Sequence, residues 1–303
     1  MPFEVTILGI NAALPARNRH MTAQFVQVGN TYLLIDCAEG TQYQLNNFGL
    51  KAHKIEHLFI SHLHADHYLG LPGLLASFSL QNRTKPLHIY APAALEDFLE
   101  VNKKISGGYE LPFPLHFHPH PEEEYVLLLE NKHLEVYSLP LEHRVFCRGF
   151  LVKEKQGLRK LFPEKLPEGL PFSAYNQLKM GADVQFEGNT IAYKEVTAPP
   201  VKPASYAFCS DTSYSENLLQ YIKGIDVLYH EATFSDTDET RATETGHSTA
   251  RQAATLGKKA GAKQVILGHF SIRYANLEHL AKEALQVHPN ALLGEEGKTY
   301  TIG

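Results

Sequence analysis

The segment Ile55-Glu-His-Leu-Phe-Ile-Ser-His-Leu-His-Ala-Asp-His67 joins an apolar run, which predicts a β-strand, to a cluster of polar side chains. Three histidines and one aspartate fall within six residues directly after that run: His62, His64, Asp66 and His67. Along an extended turn, His62 and His64 can point the same way, while Asp66 and His67 face a neighbouring point. One loop could therefore supply ligands to two metal sites. Imidazole and carboxylate ligands without a thiolate suit Zn²⁺ or Mn²⁺.

Other candidate ligands come shortly after later predicted strands: His143 after residues 134–139, Asp211 after residues 205–209 and His269 after residues 265–267. Catalytic groups of α/β folds collect beyond the carboxyl ends of the strands. Each of the three alone is more often a structural residue, but together with the cluster they complete two ligand sets. The predicted sets are His62, His64 and His143 for one metal ion and Asp66, His67 and His269 for the other, with Asp211 bridging them.

Strands and helices alternate in both halves of the chain, so the predicted fold class is α/β, and two central sheets with helices outside are one arrangement that fits. The 303 residues are compatible with one large domain or with two halves. A hydrophobic content of 44%, with 20% charged residues, excludes a disordered, collagen-like or coiled-coil chain.

The sequence has no stretch near the ~18 uninterrupted apolar residues that a membrane-spanning helix needs. Its opening, Met1-Pro-Phe-Glu4, lacks the basic start of a secretory signal. We therefore expect a cytoplasmic protein without a membrane partner. Its cysteines, Cys37, Cys147 and Cys209, are odd in number and form no Cys-x-x-Cys pair. This pattern argues against a disulfide scaffold or a cysteine zinc cluster and favours buried packing residues.

Residues 148–204 break the alternation of strands and helices, since they are rich in Pro, Lys and Arg and their apolar residues are scattered. They predict an insertion or arm. Residues 148–179 carry seven basic and three acidic side chains, in a chain whose net charge is −5. A basic arm on an acidic body suits contacts to nucleic-acid phosphates. A solvated charged insertion without a binding role is the alternative.

Three further histidines, His116, His118 and His120, alternate with other residues in a proline-containing stretch that precedes the acidic run at residues 122–124. This composition predicts a solvated connection rather than a third metal site. Asp36, near the end of another predicted strand, could orient a ligating imidazole or could be a plain turn residue.

Six different short motifs are distributed along the whole chain: Pro15-Ala-Arg-Asn-Arg19, Asp36-Cys-Ala-Glu-Gly-Thr-Gln42, Ser210-Asp-Thr212, His230-Glu-Ala-Thr-Phe234, Gly246-His-Ser-Thr249 and Gly268-His-Phe-Ser271. Together with the metal cluster, they resemble the short form of the ribonuclease Z family, within the metallo-β-lactamase superfamily. The metal cluster alone identifies only the superfamily, whereas the His-Glu-Ala-Thr and His-Phe-Ser stretches, in that order, are more specific. The resemblance implies a single αββα sandwich domain over residues 1–303 with an inserted tRNA-binding arm over residues 148–195.

The resemblance also implies a zinc-dependent endoribonuclease that removes 3′ trailers from tRNA precursors, leaving a 3′-hydroxyl on the tRNA and a 5′-phosphate on the trailer. It implies two Zn²⁺ ions per chain, or Mn²⁺ in their place, and a homodimer in which the arm of one subunit serves the active site of the other. In the family, a histidine at the place of His247, supported by the glutamate at Glu231, protonates the leaving oxygen. Asp66 would orient or deprotonate the attacking water.

Two alternatives remain at this point. One is a small-molecule phosphodiesterase or sulfatase of the same superfamily, which would not need the arm. The other is a non-catalytic metal-binding or RNA-binding module, against which the intact ligand set speaks. The chain departs from the family pattern at Ala65, where Gly is common, and in the arm, which lacks the usual Gly-Pro turn.

Overall fold

Two seven-stranded sheets form the frame of the computed structural model, which describes residues 2–108 and 110–303. The first sheet contains β1 (Phe3–Gly9), β2 (Ala23–Val28), β3 (Thr31–Ile35), β4 (His57–Phe59), β5 (Leu87–Ala91), β6 (Leu115–Pro119) and β18 (Thr299–Thr301). The second contains β7 (Leu127–Glu130), β8 (Leu134–Pro140), β9 (Arg148–Glu154), β14 (Ser205–Cys209), β15 (Val227–Glu231), β16 (Gln264–Gly268) and β17 (Ala291–Leu293). Their strand orders are β18-β1-β2-β3-β4-β5-β6 and β17-β16-β15-β14-β9-β8-β7.

Helices cover the outer faces of these sheets. The larger of two compact units spans residues 2–153 and 204–303. Its helices are α1 (Thr41–Asn47), α2 (Ala65–Tyr68), α3 (Leu71–Leu80), α4 (Ala94–Ile105), α7 (Leu219–Ile222), α8 (Glu239–Thr245), α9 (Ala250–Ala260) and α10 (Glu278–Leu285). On the first sheet, Leu34 and Leu58 pack with Leu74 and Phe78 of α3 in one apolar cluster. On the second sheet, α9 contacts β15 and β16. The predicted αββα sandwich is therefore confirmed.

The inner core fills the space between the two sheets. Successive side chains of a strand point to opposite faces, so Ile7 of β1 packs in the inner core while its neighbour Leu8 packs in the outer one. Phe59 of the first sheet and Phe150 of the second meet with ring centroids 5.3 Å apart. The strand ends that carry the candidate polar residues are therefore held in place by apolar packing on both faces of the first sheet.

A tight turn joins β2 to β3, with Val28 opposite Thr31 and a φ of 57° at Gly29. Helices α2 and α3 are separate, with Leu69 and Gly70 between them. The amide of Gly70 donates to the carbonyl of Cys37 at 2.9 Å, so Gly70 lies close to the backbone that follows β3.

The predicted solvated connection at residues 116–120 is also wrong, because most of it is strand β6 at the edge of the first sheet. His116 and His118 lie opposite His88 and Tyr90 of β5. The ring of His118 stacks on Tyr90 with centroids 4.5 Å apart. Edge strands tolerate proline at their ends. The alternation of the histidines therefore indicated the strand, and the prolines did not exclude it.

Residues 154–203 form a second compact unit. It contains β10 (Lys160–Leu161), α5 (Phe172–Met180), β11 (Val184–Phe186), β12 (Asn189–Ile191), α6 (Tyr193–Val196) and β13 (Thr197–Ala198). Leu170, Ala174, Leu178, Val184 and Val196 form its own buried core. The guanidinium of Arg159 lies 4.8 Å from the centroid of the Tyr193 ring.

This unit begins after residue 153 rather than at residue 148, where the sequence predicted the insertion to start. The reason is packing: Phe150, Leu151 and Val152 are fully buried in β9, and Phe150 and Leu151 pair there with Phe208 and Ala207 of β14. Over residues 154–203 the chain carries seven basic and six acidic side chains, so the unit as a whole is less basic than its first part.

None of the described helices is long and apolar enough to cross a membrane. Cys37, Cys147 and Cys209 are all free and buried, as the sequence predicted.

We predict that Gly70→Ala destabilises the larger unit, because a Cβ there would lie 2.0 Å from the carbonyl oxygen of Ala38 and force the backbone apart. Overpacking of this kind costs about 1–3 kcal/mol of unfolding free energy or more. Urea unfolding measures it. Gly157→Ala is the control, since no atom lies within 4 Å of a Cβ at that position. Equal stability of the two variants would show that the close approach of residue 70 to the backbone of Ala38 does not require glycine.

Candidate metal centre

The predicted ligands meet at one edge of the molecule, just beyond the ends of strands from both sheets. The first group is made of His62, His64, His143 and Asp211, whose ligand atoms all lie within 4.8 Å of one another. The Nε2 atom of His62 is 2.9 Å from Nδ1 of His64. The Oδ2 atom of Asp211 is 3.6 Å from Nε2 of His62 and 3.7 Å from Nε2 of His143.

The second group is made of Asp66, His67 and His269, again within 4.8 Å of one another. Here it is Oδ1 of Asp211 that approaches, at 3.3 Å from Nε2 of His67 and 3.1 Å from Nε2 of His269. The two oxygens of one carboxylate therefore face two different ligand groups. This is the arrangement that the sequence predicted for a bridging aspartate.

Residues behind the ligands fix their orientation. Nδ1 of His67 lies 2.7 Å from Oδ2 of Asp36, whose other oxygen accepts the amide hydrogen of Ser61 at 2.8 Å. Nδ1 of His143 lies 2.7 Å from the carbonyl oxygen of Gly246. A hydrogen bond to the second ring nitrogen selects which nitrogen is free to bind a metal. Of the two readings of Asp36, the structure thus favours the orienting residue.

Two of these positions adopt a left-handed backbone without being glycine: Asp36 has a φ of 57° and His269 a φ of 56°. Such conformations are uncommon for other residues and occur often at functional sites. Both residues directly follow a strand, and the side chain of Asp36 reaches His67 while that of His269 reaches Asp211.

The residues present fit a metal cation. Within the described residues, the buried Nε2 atoms of His67 and His269 have no hydrogen-bond partner, as expected of nitrogens whose partner is an ion. Burial lowers the pKa of His67, but the carboxylates of Asp211, Asp36 and Asp66 outweigh it and hold that pKa well above its usual value. The pocket therefore attracts positive charge, and its nitrogen and oxygen donors suit Zn²⁺ or Mn²⁺.

His247 and Glu231 lie beside the two ligand groups. Nδ1 of His247 is 2.7 Å from Oε1 of Glu231, a fully buried carboxylate. One ring nitrogen of His247 also lies within 4.8 Å of ligand atoms of Asp211 and His269. Burial lowers the pKa of His247, but Glu231 outweighs it and raises that pKa to about 9. The imidazole is therefore protonated at neutral pH and close to the place where a metal-bound substrate would react.

Two contacts at the site were not foreseen from the sequence. The hydroxyl of Thr233 donates to Oε2 of Glu231 at 2.6 Å and lies 3.0 Å from Nδ1 of His269, so it links both residues. The amide of Ala13 donates to Oδ2 of Asp66 at 2.7 Å. Thr233 belongs to the His-Glu-Ala-Thr motif and could have been singled out. Ala13 lies in an irregular loop with a φ of 62° and gives no sequence signal.

Comparisons with known proteins agree with this geometry. The Ribonuclease Z of Cytophaga hutchinsonii is 44% identical over 100% of this chain and 97% of its own. The crystal structure of the short form of human tRNase Z has a TM-score of 0.72 and 29% identity, with 99% of each chain covered. The metallo-β-lactamase fold protein YhfI of Bacillus subtilis has a TM-score of 0.70 at 20% identity, covering 99% of this chain and 100% of its own, and so shows the fold alone. A family model described as Anti-Pycsar protein Apyc1 matches residues 3–112, less than half of the chain.

An αββα sandwich with candidate histidine and aspartate ligands at the strand ends is typical of hydrolases of the metallo-β-lactamase superfamily. Because the similarity to curated relatives extends over the full length, the chain belongs to the ribonuclease Z family and is a hydrolytic endoribonuclease.

We predict that Asp36→Asn weakens metal binding about 10- to 100-fold, because such outer partners of a ligating histidine usually contribute that much. Asparagine tolerates the left-handed backbone at this position, so the substitution changes charge rather than fold. Competition with a chromogenic chelator measures the affinity. Asp97→Asn, on the exposed face of α4, should bind metal like the wild type. An unchanged affinity of the Asp36 variant would argue that His67 needs no orienting carboxylate.

Proposed function

We propose that this ribonuclease removes 3′ trailers from precursor tRNA with two Zn²⁺ ions, or Mn²⁺ in their place, leaving a 3′-hydroxyl on the tRNA and a 5′-phosphate on the trailer. The observation that carries the proposal is the Asp211 carboxylate, whose two oxygens face two separate ligand groups. The ions would be held by His62, His64 and His143 on one side and by Asp66, His67 and His269 on the other. Metal ions so placed would generate a strong nucleophile from water and offset charge on the phosphoryl oxygens.

Asp66 would orient the attacking water and accept its proton. Burial raises the pKa of Asp66, but the imidazoles of His67 and His269 outweigh it and hold that pKa below its usual value. The carboxylate is therefore ionised at neutral pH. The amide of Ala13, which donates to Oδ2, fixes its rotation, so that the other oxygen is left for water.

His247 would donate the proton to the departing 3′ oxygen. Its Nδ1 is directed to Glu231, so Nε2 is the atom that can reach the leaving oxygen. Glu231 also accepts the amide hydrogens of Thr212 and Ser248, at 2.7 and 3.1 Å. Glu231 is thereby held in place and keeps the imidazole both oriented and charged, which is what a general acid requires.

We predict that His247→Ala lowers turnover of precursor tRNA by 10²- to 10⁴-fold, the usual contribution of general acid catalysis. Only the protonated imidazole can act, so the wild-type rate should fall as the pH rises through about 9, the raised pKa of His247. Glu231→Gln removes the charge that raises this pKa and should move the falling limb to lower pH. Single-turnover rates across pH measure both effects.

Metal content is the control for these two variants, and it should match the wild type. A pH limb that stays in place in Glu231→Gln, or a full single-turnover rate in His247→Ala, would show that another group supplies the proton.

The small-molecule alternative is not favoured, because the curated relatives that match over the full length are ribonucleases. We propose instead that residues 154–203 are the RNA-binding arm. Lys160 and Lys165 are exposed there, and so is the aromatic ring of Phe172. Exposed cations bind phosphates and exposed aromatic rings stack with bases. We also propose a homodimer, as the family resemblance implies, and a cytoplasmic location, as the sequence predicts. Sedimentation of the purified protein tests the dimer.

The arm can be removed with little disturbance to the sheet. Lys153 lies directly opposite Ser205 in the antiparallel pair of β9 and β14, so the two-residue turn Asn-Gly can replace residues 154–204. We predict that this variant loses precursor tRNA binding and shows a flatter salt dependence, by ~0.9 in the logarithmic slope for each lost phosphate contact on duplex. Filter binding measures both quantities.

Hydrolysis of bis(p-nitrophenyl) phosphate separates the arm's role from misfolding, since this small diester needs no arm. It should persist in the Asn-Gly variant. Unimpaired cleavage of precursor tRNA by that variant would contradict the assignment of the arm and reopen the small-substrate alternative. Sequencing of both product ends in the wild type tests the position of cleavage.

A further inference from the structure

Arg144 directly follows the ligand candidate His143 on the segment between β8 and β9. Its side chain is exposed, and the next two residues, Val145 and Phe146, are 41% and 47% exposed. An exposed cation followed by exposed apolar side chains is a surface suited to RNA, which is bound through its phosphates and stacked bases.

The position of Arg144 relative to the proton donor is set by Gly246. A Cβ on Gly246 would lie 3.2 Å from Cγ of Arg144 and 3.1 Å from Nδ1 of His143. Gly246 immediately precedes His247, and the charge of Arg144 is one of the influences that lower the pKa of His247. Arg144 therefore lies on the side of the centre from which the leaving oxygen departs.

The charge of Arg144 is not used within the protein. Its guanidinium makes no hydrogen bond or ion pair with any residue that the structure describes. The adjacent carboxylate of Glu142 accepts hydrogen bonds from Ser215 and Asn217 instead. Arginines near the other motif loops all have protein partners: Arg17 donates to Ile272, Arg19 to Tyr274, Arg148 to Glu122 and Arg273 to Asp238.

We propose that the Arg144 guanidinium binds the 5′ phosphate of the last tRNA nucleotide, the nucleotide whose 3′ oxygen is the leaving group. The inference rests on the proposed function. The scissile phosphate would lie at the two ligand groups. The next phosphate on the His247 side is then the 5′ phosphate of the nucleotide whose 3′ oxygen is the leaving group. A planar guanidinium can bind two oxygens of a phosphate through a rigid pair of parallel N–H donors, a geometry that the ammonium of lysine lacks.

The test is a cycle that combines a protein variant with a substrate variant. Precursor tRNA is prepared with an uncharged methylphosphonate in place of that single phosphate. Arg144→Ala should lower kcat/KM on native precursor roughly 10- to 100-fold, as loss of a hydrogen bond to a charged group does. The methylphosphonate should slow the wild type by a similar factor, yet slow Arg144→Ala by less than about threefold, because the contact is already gone. Arg144→Lys should fall between, since it keeps the charge and loses the bidentate geometry.

Arg241→Ala is the matched control, because Arg241 is an exposed arginine of α8 paired with Glu244; it should respond to the methylphosphonate like the wild type. If the methylphosphonate slows Arg144→Ala as much as the wild type, the contact does not exist and the proposal is overturned. Should Arg144→Ala bind less metal or melt earlier, the same comparison is made with Arg144→Lys. A wild type that leaves native precursor uncleaved overturns the proposed function itself, and this proposal with it.

Discussion

The buried carboxylate of Asp211 is the constraint on which the rest of this structure depends. Burial raises the pKa of Asp211, yet His269, His67 and His62 outweigh it and hold that pKa well below its usual value. A charge removed from water is tolerated only when partners surround it. His62 and His67 lie in the loop after β4 of the first sheet, and His269 follows β16 of the second. The two sheets must therefore be held in one fixed relative position, and the apolar core between them holds them there.

The cost of this arrangement appears in the backbone next to the ligands. Asp36 and His269 both adopt the left-handed conformation, and Gly70, shortly after the four candidate ligands, lies too close to the backbone of Ala38 to accept a Cβ. Local contacts hold the two left-handed residues in place: Asp36 accepts from the amide of Ser61 and lies 2.7 Å from Nδ1 of His67, and the carbonyl oxygen of His269 lies 2.8 Å from the hydroxyl oxygen of Thr233. The backbone of the sandwich is thus irregular at the positions that orient the side chains of the candidate site.

The sequence predicted that the candidate ligands lie close together because parallel strands end at a common edge, so residues that follow different strands are brought together. The strand and helix patterns, which are local, predicted the α/β class, and the family resemblance implied the sandwich. The sequence did not predict β6, because the prolines in that stretch argue against a strand. It also did not predict the start of the second unit, because Arg148 groups in sequence with the basic residues that follow it. It gave no sign of Ala13 near Asp66, because the conformation of an irregular loop depends on what packs around it. Errors of this kind concern the tertiary environment rather than residue type.

Glu231 connects His269, a candidate metal ligand, with His247, the candidate proton donor. It ends β15, which lies between β14 and β16, the strands that lead to Asp211 and His269. Its Oε2 accepts from Thr233, which also contacts the imidazole of His269, while its Oε1 faces His247. A shift of Glu231 would therefore displace a candidate metal ligand and the candidate proton donor together. Because both imidazoles depend on the same fully buried carboxylate, the distance between them is set by the central strands rather than by the surface loops.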